Sequence, residues 1–142
     1  MRLPGGVDQR EIFIDTNVIL RLFDASDPVQ TERSKKLFDD AKAGVLRLVV
    51  GPPVLFELAW VLHSACGRRN EEVLDVIEAL ANWSGLSVLD GELVLSAISL
   101  ARSAGQGFAD SYIAVTAKKR GLKVVTYNTR HFSKFDIDLH AS

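Results

Sequence analysis

Four short apolar runs, at residues 11–14, 46–50, 86–89 and 122–127, alternate with longer stretches in which apolar residues recur at helical spacing. Runs this short suit strands buried in a parallel sheet, and the segments between them are long enough for helices. Strands joined through helices cross over right-handedly, which places them side by side and covers both faces of the sheet. The pattern therefore predicts an α/β domain in three layers, α/β/α, with a mostly parallel four- to five-stranded sheet. The fifth strand is a short edge piece at 136–139. A chain of 142 residues with no repeat or linker reads as one domain, and residues 1–10, with Pro4-Gly5-Gly6, as a loose lead-in.

Composition narrows the partners. Lys plus Arg number 17 and Asp plus Glu 18, for a net charge of −1. That excludes a generally basic nucleic-acid coat and an acidic disordered tail, so a nucleic acid would have to meet a local basic patch. Cys66 is the one cysteine and cannot form an intramolecular disulfide, which suits a reducing cytoplasm. No segment has the pattern of a signal peptide or a membrane span, so the expectation is a soluble cytoplasmic protein.

Helices are predicted at 29–43, 54–65, 70–81, 92–104 and 109–117, with a further helix beginning near Val18. Arg33, Lys35, Lys36, Asp39, Asp40 and Lys42 read as a solvated face of the first of these. Several acids stand where chemistry could use them. Asp15 closes the first strand, and in a parallel sheet ligands gather at the carboxyl ends of the strands. It is equally well placed to cap the following helix. Glu57 is the single carboxylate of helix 54–65, one turn from Pro53, Val54, Trp60 and Val61. Burying it unpaired would cost several kcal/mol or more, so it needs a cation, a hydrogen-bond network or an opening to water. Asp110 lies in the first turn of helix 109–117, where a carboxylate also complements the helix dipole by about 0.3–1 kcal/mol. Asp90 closes the third strand and reads as a cap. Thr126 and Asn128 lie at the end of the fourth strand. An oxygen-only cluster of carboxylates and an amide suits Mg²⁺ or Mn²⁺ and chemistry at phosphate. His63, His131 and His140 are too scattered to suggest a metal site.

Four elements carry a resemblance. They are Ile14-Asp15-Thr16-Asn17-Val18, Glu57 in its apolar helix, Phe108-Ala109-Asp110 followed by Ile113-Ala114, and Val125-Thr126-Tyr127-Asn128-Thr129-Arg130-His131-Phe132. In this order and over nearly the whole chain, they resemble PIN-domain ribonucleases, and among them the VapC-type toxins of toxin–antitoxin pairs. The resemblance implies a compact α/β/α fold and Mg²⁺- or Mn²⁺-dependent endoribonuclease activity on RNA. It also implies a homodimer held inactive by a cognate VapB-type antitoxin. By position, the resemblance makes Asp15, Glu57 and Asp110 metal ligands or organisers of a metal-bound water, Glu57 directly or through water. Thr126 matches the hydroxyl residue that supports the first acid. Asn128 stands where many members have a fourth acid. Its amide oxygen can still bind a cation or its water, but one negative charge is missing, so one firmly held metal is expected. Thr16 and Asn17 are placed to hydrogen bond Asp15 or water. Asp90 matches no catalytic position. Arg21, Arg130 and His131 are candidates for phosphate contacts, against the alternative of ordinary surface cations.

Two other functions compete. A phosphatase or phosphotransfer domain is disfavoured, because Asp15-Thr16-Asn17 lacks the second aspartate of a haloacid-dehalogenase nucleophile motif. A catalytically weakened PIN fold that binds RNA or a partner is left open by Asn128.

Overall fold

Strand β2 (Leu46–Val50) is the centre of the sheet, flanked by β1 (Arg10–Phe13) and β3 (Leu86–Val88), both parallel to it. The computed structural model describes residues 10–140; the predicted lead-in, Arg10 aside, lies outside the described residues. Register places Ile12 beside Leu48 and Leu48 beside Leu86. Because side chains alternate across a strand, these three share a face with Leu46, Val50 and Val88. That face meets the main core, in which Leu48 and Val50 are fully buried. The other face carries Glu11, Phe13, Arg47, Val49 and Ser87, and Arg47 donates to the Ser87 hydroxyl and the Ser84 carbonyl.

Among the described residues six helices fall as expected, with ends moved by a residue or two, and a seventh, short one at Thr129–Phe132 is unexpected. They are α1 (Thr16–Leu20), α2 (Pro28–Lys42), α3 (Pro52–Ser64), α4 (Asn70–Asn82), α5 (Gly91–Ala104), α6 (Phe108–Lys119) and α7 (Thr129–Phe132). Local chemistry sets the boundaries. Asp27 caps α2 by accepting from the Gln30 N–H at 3.0 Å, and Pro28 takes the first-turn position, where its missing N–H costs nothing. Glu72 accepts from the Arg69 N–H at 3.0 Å at the start of α4, and this bond holds its carboxyl below the usual range. Helices α4 and α5 are joined by the Arg102 guanidinium, 2.7 Å from Glu71 and Asp75 and 3.1 Å from Glu78.

The fourth strand departs from expectation. Among the described residues the sheet has three strands, and the stretch 122–127 meets 136–139 only through a parallel bridge between Val124 and Leu139. The Val124 N–H donates to Asp138 O and the His140 N–H to Val124 O, both at 2.9 Å. The cause is where the apolar surface goes. Val124 is buried with Phe132 and Phe135 against Ala114 and Ala117 of α6, in a second small core. Val125 and Tyr127 face solvent instead, Tyr127 with 98% of its surface exposed. The segment is thus tied to α6.

Candidate functional site

Asp15 follows the last rung of the ladder, where the Ile14 N–H donates to Val49 O at 3.0 Å. Its backbone is extended and its Oδ1 accepts from the Asn17 N–H at 3.1 Å, so it caps α1. The cap occupies one oxygen, and the side chain is exposed. Asp15 also borders a cavity of about 330 Å³ between α1 and α2, together with Asn17, Arg21, Gln30, Arg33 and Ser34. The Arg21 Nε donates to Gln30 Oε1 at 2.7 Å, and its Nη1 lies 3.7 Å from Asp24 Oδ2.

Asp110 occupies the first turn of α6, after Gly107 has brought the chain in extended and Phe108 has anchored it in the core. One carboxylate oxygen lies 3.7 Å from His131 Nδ1, which is 2.8 Å from the Asn128 side-chain nitrogen. The Asn128 backbone N–H donates to Thr126 Oγ1 at 2.9 Å. With the Asn128 amide nitrogen donating to Nδ1, the proton of a neutral imidazole sits on Nε2. Phe132, buried edge-on to Phe135 at 5.4 Å, fixes α7 and with it this arrangement.

Glu57 is exposed, although the residues around it on the helix are apolar. The α3 face that carries it is itself open, with Trp60 68% exposed. Of the three escapes allowed to Glu57, it takes the opening to water. Its neighbour Phe56 packs on Phe108 at 5.4 Å and on Tyr112 at 5.0 Å, which joins α3 to α6. Burial, assisted by the Asp90 charge, pushes the Tyr112 phenol above its ordinary value.

Asp90 also differs from its reading. It holds the N-cap position of α5, but its backbone is left-handed (φ 54°, ψ 36°) and its side chain makes no cap hydrogen bond. A short polar side chain tolerates this conformation better than most.

The structure therefore links Asp110, Asn128 and Thr126 through His131, and among the described residues no hydrogen bond or ion pair joins Asp15 or Glu57 to that group. Thr126 is bonded to Asn128, and no hydrogen bond joins it to Asp15 among the described residues. Nor, among those residues, do three or more His, Cys, Asp or Glu side chains stand close enough to hold a metal ion. By donor chemistry Asp15, Glu57, Asp110 and Asn128 suit a hard divalent cation, being oxygen donors open to solvent. The contact of His131 with Asp110 escaped sequence reasoning. The signal for half of it was present, since Asn128 and His131 are three residues apart and share a helical face.

The PIN domain family model matches residues 12–138, and the chain belongs to that family. It is 27% identical over 121 residues to "VapC ribonuclease" of Aquifex aeolicus (strain VF5), covering 85% of this chain and 89% of that protein. It is also similar to the solved structure "Crystal Structure of FitAcB from Neisseria gonorrhoeae", at 23% identity over 92% of this chain and 96% of that one. The TM-score of that pair is 0.33, too low for the superposition to bear on the site. Among the described residues, no helix is long and apolar enough to cross a membrane.

Proposed function

We propose that this protein is a divalent-metal-dependent endoribonuclease, the toxin component of a type II toxin–antitoxin pair, acting in the cytoplasm. Its partners in this reading are an RNA substrate, a VapB-type antitoxin and a second copy of the chain in a homodimer. The observation that carries it is the similarity to VapC ribonuclease, which extends over 85% of the chain. The family match supports it further, because residues 12–138 include Asp15, Glu57, Asp110, Thr126 and Asn128.

Asp15 and Asp110 would hold Mg²⁺ or Mn²⁺, with Glu57 and Asn128 reaching it through water. A bound cation of this type polarises the phosphodiester and lowers the pKa of a water that attacks it. The chain's own residues prepare for this. The Asn17 amide orients one oxygen of Asp15 and leaves the other free. The start of α6 favours the ionised form of Asp110. His131 and Thr126 fix the Asn128 side chain and backbone, respectively.

The direct test is cleavage of a labelled single-stranded RNA by the purified protein. Cleavage is expected with Mg²⁺ or Mn²⁺, lost with chelator and restored by excess metal. Cleavage indifferent to chelator would overturn the metal-dependent reading. Asn128 supplies a second check. Restoring the fourth charge in Asn128→Asp should tighten Mn²⁺ binding about tenfold or create a second site, read by calorimetric titration. Unchanged affinity and stoichiometry would remove Asn128 from the metal site.

A catalytically weakened module that binds RNA or a partner is the second reading. It is favoured by Asn128, which stands where the resemblance implies an acid, and by the lack, among the described residues, of three or more His, Cys, Asp or Glu side chains gathered together. RNA binding without cleavage in either metal would select it.

A further inference from the structure

We propose that the cavity between α1 and α2 is a phosphate-binding subsite for single-stranded RNA, with Arg33 and Arg21 contacting the phosphate. The proposal rests on the ribonuclease reading for the identity of its ligand and goes beyond it in assigning the surface that holds the chain beside Asp15.

The cavity is built from one stripe of each helix. Gln30, Arg33, Ser34 and Leu37 line it from α2 at the spacing of a single helical face. A helix turned toward a neighbour ordinarily buries apolar residues on such a face, yet here three of the four are polar. Ser34 is the sharpest anomaly. It is 4% exposed, it lines the cavity, and its hydroxyl has no hydrogen-bond partner among the described residues. A buried hydroxyl left unsatisfied costs about 1–3 kcal/mol, and a ligand oxygen in the cavity would remove that cost.

Charge points to the ligand's sign. On α2, Lys35 pairs with Glu32 at 3.8 Å and Lys36 with Asp40 at 3.2 Å, on the outer surface. Arg33 has no carboxylate partner of this kind among the described residues, and it faces the cavity with Arg21. Arg21 already lies 3.7 Å from Asp24, so Arg33 is the cation that the cavity leaves for an anion, in a chain whose net charge is −1. A guanidinium presents a planar fork that takes two phosphate oxygens at once. Asn17 and Gln30 offer both donors and acceptors, as an unstacked base requires, and Val18 and Leu37 supply apolar wall. The volume, about 330 Å³, is at the low end of small-ligand sites and suits a single nucleotide more than a folded element. An acidic protein segment would use the arginines but leave the amides without a matching edge, so RNA is the better occupant.

The test uses the full-length protein carrying Asp110→Asn and a fluorescein-labelled single-stranded RNA, followed by anisotropy over a range of salt. Arg33→Gln is expected to weaken binding about tenfold and to flatten the salt dependence by about 0.7 in log–log slope. Lys42→Gln, the same charge change at the exposed end of α2, should leave both unchanged. Arg33 is exposed, so its removal leaves the fold intact, as circular dichroism will report. With Asp110 restored, Arg33→Gln should raise KM by a similar factor while kcat stays within about twofold, the signature of lost uniform binding. RNA affinity equal to that of Lys42→Gln overturns the proposal. So does intact RNA affinity with lost inhibition by a protein partner, which would assign the cavity to that partner. Binding that depends on Arg33, in a protein that cleaves no RNA with either metal, sustains the subsite and removes the ribonuclease reading. No RNA binding by the Asp110→Asn protein removes the subsite.

Discussion

Asp110→Asn is expected to lower metal-dependent RNA cleavage by about 10³-fold or more while leaving the thermal melt close to that of the wild type. The substitution keeps the shape of the side chain and a hydrogen-bonding oxygen, so packing changes little. It removes the negative charge through which a divalent cation would be held, and Asn128 cannot compensate, being an amide already. Asp110 is half-exposed in the first turn of α6, where the loss of its favourable interaction with the helix dipole costs only about 0.3–1 kcal/mol. A large kinetic effect with a small stability effect therefore separates a catalytic acid from a helix-end acid. The measurement is initial cleavage rate with Mn²⁺, beside circular dichroism on the same sample. Full activity would remove Asp110 from the site. A similar loss of rate in Asp15→Asn is less diagnostic, because Asp15 also caps α1.

The largest effect on stability is expected at Leu48. Leu48→Ala should cost about 2–5 kcal/mol, because the lost apolar transfer is joined by a cavity that its neighbours cannot fill. Leu48 is fully buried in the central strand, beside Ile12 of β1 and Leu86 of β3. Both neighbours are held by backbone ladders, so relaxation into the space is limited. Chemical denaturation checks it through a lower midpoint at constant m-value. A cost below about 1 kcal/mol would mean that β2 is not the centre of the core.

Most of the architecture was legible in the chain because short-range chemistry sets it. The apolar run 46–50 is strand β2 to the residue, and a capping aspartate with a proline starts α2 within a residue of its predicted position. The first three strands fall where they were read, give or take a residue, because each is flanked by a turn or by helical spacing. Residues 122–127 looked equally strand-like, yet only Val124 of that run is buried, and it packs against α6. Apolar composition says that a segment must bury surface; it does not say against which neighbour. The same limit explains Glu57. Periodicity placed it among apolar residues, but whether that part of α3 is covered depends on what packs there, and Trp60 shows that it is open.

Site residues divide in the same way. Asp15 was identifiable as an acid at a strand end and as a cap, since both roles need only its immediate neighbours. Arg33 was not, because a cation in a charged helical run looks like any solvated residue until α1 is laid against α2. His131 joined Asp110 only through the placement of α7 on its small aromatic core.

The sequence by itself determined an α/β chain with parallel strands, the ends of most of its helices to within two residues, and a set of candidate acids. These depend on local pattern and on motif order. Tertiary structure alone decided that the fourth apolar run lies against α6, that Glu57 opens to water, and that Asp110 meets Asn128 through His131. It also decided that Arg21 and Arg33 flank a common cavity with Asp15. Each of these depends on which surfaces are buried against one another, and burial is a property of pairs of segments that no single segment carries.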